Sequence, residues 1–454
     1  MYHINCKNTT NMIIRITYRN ILSFKEETTI SFVAGKSTAH PEHVLRGSSR
    51  NDISILKTGI IYGANASGKS NIIKGVHVLK SLALGKFPKR NFGQFKLSES
   101  NNSSSKIEVE FRMNKKFYAY GIELDANSIQ EEWLYEINSR TDKMLFTRKI
   151  SGSEQKFNFL KIRGEKTEQF LFFLANGTPK DKSFISEYVQ RNGKGISQIS
   201  DAFNWFEDKL HILFPESRFH GISFKAEQDK KFQQSTCKLL THFNTGMSDI
   251  RRVEIEEGKL DIPEHILEKL TSELEPGKTI SISSSKGNQT YFIDMDETGN
   301  TRYYKQKTVH KNEQGDEVIF EETEESDGSI RLTDFIPMLI HFKHYDDVFL
   351  IDEIDRSLHP FLSKRILECY FSLLTEARET QLICTTHESN LLDLDIIRSD
   401  EVWFIEKDKH GASHCTSLAE YKPREDVKKG YLHGRYGAIP FFASLESLNW
   451  GEEN

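Results

Sequence analysis

From Met12 to Phe32 (MIIRITYRNILSFKEETTISF) apolar and polar positions alternate, and this period of two predicts two short strands of a hairpin or meander. A loop carrying HPEH and RGSSRND follows, then an apolar strand over Thr58 to Tyr62 that runs into a glycine-rich turn. Over Asn71 to Leu84 the period becomes helical, with Ile72, Ile73, Val76, Leu79 and Leu82 on one stripe. Between Ile107 and Ile150 the runs IEVEF, FYAYGIEL, EEWLYEI and MLFTRKI, parted by turn residues, predict an antiparallel meander. Residues 152–272 read as mainly helical, with aromatic-rich runs FNFL, FLFFL and FNWF. Strands return over 278–320 as TISISS, TYFIDM, TRYYKQ and EVIFEE. From Ser326 to Lys407 helix and strand alternate, the pattern of parallel α/β structure.

Composition narrows this picture only a little. A chain of 454 residues is long for one domain, so two or three units are expected. With 37% hydrophobic and 28% charged residues the balance is that of a soluble globular protein. No apolar run approaches the roughly 20 residues of a membrane span, and MYHINCKNTTN has neither the basic lead nor the apolar run of a secretion signal. Cys6, Cys237, Cys369, Cys384 and Cys415 lie far apart without a CxxC pair, which suits a reducing cytoplasm. A formal charge of −5 does not advertise nucleic-acid binding, although Lys225, Lys230 and Lys231, and Arg302, Lys305, Lys307 and Lys311, form local basic clusters that leave it open.

Chemistry changes the picture far more. Gly63, Ala64, Asn65, Ala66, Ser67, Gly68, Lys69 and Ser70 spell a complete G-x-x-x-x-G-K-S, after an apolar strand and at the start of a helix. In that context backbone N–H groups cradle phosphates and the helix N-terminus favours negative charge. Nucleotide is therefore expected on Gly63 to Asn71, with Lys69 on the β- and γ-phosphates of ATP and Ser70 on Mg²⁺. VFLIDE, Val348 to Glu353, supplies a buried strand ending in Asp352, a second Mg²⁺ ligand, and Glu353, which is placed to polarise the attacking water as a general base.

IDRSLHP follows, then an amphipathic helix over Phe361 to Ala377 and the strand QLICTT, ending in His387. This order resembles the Walker B, D-loop and switch histidine of ATP-binding-cassette (ABC) ATPases related to chromosome-maintenance proteins and overcoming-lysogenization nucleases. The resemblance implies that His387 contacts the γ-phosphate and attacking water, and that Asp355 lies at a dimer seam. Glu325, Ser326, Asp327, Gly328 and Ser329 precede an apolar-striped helix and read both as helix capping and as the cassette signature, although the leading leucine of that signature is absent. The signature reading places Ser326, Asp327, Gly328 and Ser329 on the γ-phosphate of a second copy. The acidic run EETEE is then expected to point outwards, because it would repel phosphate. Gln94, in FGQFKL, is a weak Q-loop candidate and reads rather as an ordinary surface glutamine.

NILSFKEETTISF, YGANASGKSNIIK, QFKL, LFTRKI, SLHP, THESNLLD, VWFIEKD and YLHGRYGAIPFF extend the resemblance over about residues 12–442. They look like the bacterial anti-phage ATPases typified by AbiLi, encoded beside a Toprim-like partner of the RloB kind, with the ATPase of the PARIS system as a more distant relative. The expected fold is α/β: a P-loop ABC-type ATPase head with an antiparallel β subdomain and a helical insertion. The head's N-terminal part is expected at 12–150, the insertion at 151–275, and the C-terminal part at 276–454. The resemblance further implies a homodimer or higher even-numbered homo-oligomer that sandwiches ATP and Mg²⁺, a separate Toprim-like effector, and abortive infection as the context. No Toprim-like acidic pair is read after Pro440, so nuclease activity is expected from a partner. The competing reading is a DNA-repair or recombination ATPase acting directly on nucleic acid.

Overall fold

Five parallel strands and one antiparallel strand form the sheet on which the candidate site rests. Their order is Leu210–Leu213, Val348–Ile351, Gln381–Thr386, Thr58–Gly63, Val402–Lys407, Ser413–Ser417, the last pair being antiparallel. The middle three strands are buried along their whole length, as continuous apolar runs require of parallel strands covered on both faces. In this computed structural model residues 11–438 are described, apart from 48–51, 89–92, 99–103, 153, 163, 285–288 and 423–425. Cys6 and the GAIPFF motif from Ile439 onward lie outside the described residues. The chain divides into two units, one of residues 1–215, 346–354 and 374–454, the other of 216–345 and 355–373.

The first unit adds a seven-stranded antiparallel sheet, in the order Glu154–Phe159, Lys143–Ser151, Ile129–Ile137, Lys116–Leu124, Ser105–Met113, Asn11–Arg19, Thr28–Ser31. The opening hairpin and the meander are thus as the alternation predicts. The helix Lys69–Ala83 buries Ile72, Ile73, Val76, Leu79 and Leu82, and Gly75 leaves room for Tyr18, whose hydroxyl donates to the Ile72 carbonyl at 2.5 Å.

The second unit holds an antiparallel sheet of Asp249–Ile255, Thr301–Lys311, Thr290–Met295 and Thr279–Ser283, with Glu317–Glu321 paired to Thr301–Lys311. Helices Ile222–Gln228, Lys230–His242, Glu264–Glu273, Asp327–His344 and Pro360–Leu373 complete it.

Residues 151–275 carry six helices but also three strands, and they are shared between the units. Glu154–Phe159, read from FNFL as helical, extends the meander because every second position faces solvent. Leu210–Leu213 lies parallel to Val348–Ile351, a pairing 138 residues apart that no local pattern announces. Among the described residues no helix is long and apolar enough to cross a membrane.

Candidate nucleotide site

Parallel strands bring their carboxyl ends to one edge, where α/β folds place ligands. Here that edge collects Gly63, Thr386 with His387 after it, and Ile351 with Asp352 after it. The glycine-rich loop between Gly63 and Lys69 is packed so tightly that its glycines are obligatory. A Cβ on Gly63 would lie 2.5 Å from the Ile405 carbonyl oxygen, and Gly68 has φ 113°, a left-handed conformation that L side chains resist. Ala66 also has positive φ, 63°. Lys69 is buried and donates to the Gly63 and Ala64 carbonyls at 2.6 and 2.9 Å, so its ammonium lies along the loop. Asn65 and Ala66 are exposed, Ser70 half-buried, and the Ser67 hydroxyl is buried without a hydrogen-bond partner.

Two serines remote in sequence brace this loop from behind. Ser413 Oγ donates to the Ser67 carbonyl at 2.6 Å and its N–H donates to the Ser23 carbonyl at 2.7 Å. Ser23 Oγ in turn accepts from the Asn71 amide at 2.8 Å, so Asn71 faces this brace. No motif marks Ser23 or Ser413, because their role exists only once strand 413–417 and the turn after strand 11–19 meet the loop.

Asp352 and Glu353, the Walker B candidates, are held by one threonine that the motif does not include. Thr385 Oγ1 donates to Asp352 Oδ1 at 2.7 Å and accepts the Glu353 N–H at 2.8 Å, while the Thr385 carbonyl accepts Ile354 N–H at 3.0 Å. Glu353 has φ 51°, a left-handed conformation that costs a non-glycine residue on the order of 1–3 kcal/mol and persists only when its surroundings enforce it. The Thr385 hydroxyl and carbonyl bracket that residue, accepting the N–H groups of Glu353 and Ile354. Asp352 is buried, Glu353 is partly exposed, and Glu353 Oε1 lies 3.7 Å from His387 Nε2. The neighbouring threonine pair in QLICTT was the available sequence signal.

The serine turn and Asp355 belong to the other unit. Ser326 caps the helix Asp327–His344, its Oγ accepting the Ser329 N–H at 3.1 Å and lying 2.9 Å from Ser329 Oγ. Ser326 and Asp327 are exposed. Gly328 is needed for closeness: a Cβ there would sit 2.8 Å from the Ser357 carbonyl oxygen, just beyond Asp355.

The acidic run EETEE does not point outwards as a whole. Glu322 is buried, accepting from Gln306 Nε2, Gln289 Nε2 and the Thr290 N–H at 2.7, 3.2 and 2.6 Å, and burial pushes its carboxyl up to about 7. Glu325 accepts from Thr308 at 2.5 Å and lies 2.6 Å from His310 Nε2, while Glu321 pairs with Lys305 and Lys307 at 2.7 and 2.8 Å. The correction has a simple cause: the neighbouring sheet supplies donors and cations to Glu321, Glu322 and Glu325, while Glu324 alone of the four glutamates stays exposed. The same pairing takes Lys305 and Lys307 out of the exposed basic cluster. Gln94 lies half-buried in a loop tied by the Leu22 N–H to the Gly93 carbonyl (2.7 Å), beside the turn that carries Ser23.

A phosphate-cradling loop opening a helix, beside a buried aspartate and a glutamate at parallel-strand ends, defines the class as a P-loop ATPase domain on an α/β fold. The chain belongs to the family described as "AAA domain, putative AbiEii toxin, Type IV TA system", whose profile matches residues 60–393. No curated protein matches the chain. Among solved structures it is similar to the "Crystal structure of the SmcHead bound to the C-winged helix domain of ScpA", with a TM-score of 0.42 and 13% identity over 90% of this chain and 99% of that one. It is also similar to the "SMC head domain from Thermotoga maritima", with a TM-score of 0.37 and 12% identity over 89% and 98% of the respective chains.

Proposed function

We propose that this protein is an ABC-type ATPase that closes around ATP as a head-to-tail pair of copies and thereby regulates a separate effector, a Toprim-like nuclease, in cytoplasmic defence against phage. The observation that carries the ATPase reading is the carboxylate of Glu353, held in a left-handed backbone conformation by Thr385 and lying 3.7 Å from His387, at the sheet edge that also ends in the P-loop. The residues fit a magnesium nucleotide: the Lys69 ammonium lies along the loop on the Gly63 and Ala64 carbonyls, and the Ser67 hydroxyl is buried in the loop without a partner. Ser70 and Asp352 would hold Mg²⁺, which when bound neutralises phosphate charge. Lys69 would turn from the Gly63 and Ala64 carbonyls to the β- and γ-phosphates. Glu353 accepts a proton from water as its oxygen bonds to the γ-phosphorus and the bond to the β-phosphate oxygen breaks, and His387 orients that water.

Support for a composite site comes from the division of labour. Lys69, Asp352, Glu353 and His387 belong to one unit, whereas the turn of exposed Ser326 and Asp327 and half-buried Gly328 and Ser329, and Asp355, belong to the other. A helix N-terminus offers N–H groups to phosphate, and that turn is presented to a second copy. The defence context rests on the AbiEii-type family and on the likeness to AbiLi-type ATPases. The purified protein is expected to hydrolyse ATP and to leave DNA and tRNA intact. Cleavage that survives repurification and disappears in Glu353→Gln would overturn the division between ATPase and effector.

A further inference from the structure

The HPEH loop takes no part in the nucleotide site, yet its side chains converge as metal ligands do. Pro41–His43 is one turn of 3₁₀ helix preceded by His40, with the His43 N–H donating to the His40 carbonyl at 3.0 Å. Three residues complete a turn of such a helix, so side chains at i and i+3 eclipse. The rings of His40 and His43 accordingly stack, 5.0 Å between centroids and 25° between planes. Glu42 reaches the same point: its Oε1 lies 3.6 Å from His40 Nδ1 and 3.8 Å from His43 Nε2. One ligand atom from each of the three residues falls within 4.8 Å of the others.

The outward ring nitrogens decide what the inward ones can do. His40 Nε2 lies 3.3 Å from the Leu394 carbonyl, and His43 Nδ1 lies 3.1 and 3.2 Å from the two oxygens of Glu401, which is fully buried. A carbonyl oxygen only accepts, so His40 donates outward, and with Glu401 as carboxylate His43 does the same. In the neutral imidazole that leaves a lone pair on His40 Nδ1 and on His43 Nε2, both beside Glu42. An imidazole whose second nitrogen is fixed by a carboxylate or carbonyl is the arrangement that orients metal-binding histidines.

We infer that His40 Nδ1, Glu42 Oε1 and His43 Nε2 form a zinc-binding site, with a water in the fourth position. Two imidazoles and one carboxylate suit Zn²⁺ rather than Mg²⁺, which prefers oxygen. Zinc bonds of about 2.0–2.1 Å put tetrahedral ligand atoms roughly 3.4 Å apart. The Glu42 oxygen, 3.6 and 3.8 Å from the two ring nitrogens, therefore needs to close by only a few tenths of an ångström, while the stacked rings must turn for both lone pairs to meet one ion. Glu42 and His40 are partly exposed and offer the ion a way in, whereas His43 is buried. The Lys57 ammonium is the opposing charge, but it is turned onto the carbonyls of Glu42 and Thr375 at 3.0 and 2.6 Å. Once bound, the ion holds together the turn 40–43, whose rings already contact Leu394 and Glu401 in the segment that follows His387 in the chain.

The test uses the full-length protein, stripped with a chelator and dialysed, then titrated with Zn²⁺ by calorimetry and with Co²⁺ by visible absorption. We expect one Zn²⁺ per chain, a tetrahedral-type cobalt spectrum, and a higher melting temperature with zinc. Lys69→Ala should keep this uptake, which separates the site from the nucleotide site. His40→Asn, in which asparagine tolerates the left-handed backbone (φ 45°), and Glu42→Gln should each weaken zinc binding at least about tenfold, and Glu401→Gln about 10- to 100-fold. Absence of stoichiometric uptake by the folded wild-type protein overturns the site. So does unchanged uptake in both His40→Asn and Glu42→Gln, whose metal-free folding is checked by circular dichroism.

Discussion

The two units treat their charges in opposite ways. In the first, acidic groups stand at the ends of parallel strands: Asp352 is buried against Thr385, and Glu353 is held partly exposed in a strained conformation. In the second, the acidic run ahead of Ser326 is neutralised by its own sheet, Glu321 by two lysines, Glu322 by three N–H donors, Glu325 by Thr308 and His310. What remains exposed is Glu324 and a serine-capped helix start that includes Asp327. The difference is one of assigned partners: three of the four glutamates of the acidic run are tied to the second unit's own sheet, whereas Glu353 is left accessible at a strand end.

The sharpest way to break this contrast is to remove the accessible carboxylate. Glu353→Gln should lower the ATP turnover rate by about 10²–10⁴-fold, the usual worth of a general base, while ATP still binds. With ATP the variant should elute as a larger species than without it. Equal elution volumes with ATP demonstrably bound would argue against a two-copy sandwich. Lys69→Ala should instead abolish nucleotide binding, and an unchanged ATP affinity would remove the P-loop assignment.

Altering only the second unit's exposed turn comes next in size. Ser326→Arg should lower turnover about a hundredfold by removing aligned donors from the transferring phosphate, with the melting temperature and single-copy ATP affinity retained. Turnover equal to wild type would show that the turn is merely a helix cap.

Thr385→Val tests whether the strain at Glu353 is maintained by one hydroxyl. A hydrogen bond to a charged group is worth about 1.5–3 kcal/mol, so turnover should fall roughly 10- to 100-fold while binding changes less. Loss of binding and turnover in equal measure would place Thr385 in general stability instead.

The smallest effect concerns Glu322. Its carboxyl is raised by burial to about 7 from an ordinary 4.5, so folding favours the protonated form. The stability this contributes is complete below pH 4.5 and is lost as pH rises through about 7. Glu322→Gln is neutral at every pH, so the melting temperature of wild type minus variant should decline between pH 5 and 8. Parallel pH curves would mean that the three N–H donors hold the carboxylate ionised throughout.

By itself the sequence determined whatever depends on neighbours along the chain. G-x-x-x-x-G-K-S fixes a strand, a left-handed glycine and a helix within eight residues, and alternation fixes the opening hairpin and meander. VFLI followed by Asp352 announces a buried strand ending in a carboxylate, and Ser326 announces a cap. Tertiary structure alone decided what depends on partners far away in sequence. Thr385 reaches Glu353 across 32 residues, Ser413 reaches Ser67 across 346, and His43 meets Glu401 across 358. It also turned Glu322 and Glu325 of EETEE inward, because donors on strands 290–295 and 301–311 outweigh the preference of carboxylates for water. The physical reason is one of range. Backbone conformation and capping are settled within a few residues, whereas a side chain's partner is settled only when the sheet order places two distant strands side by side.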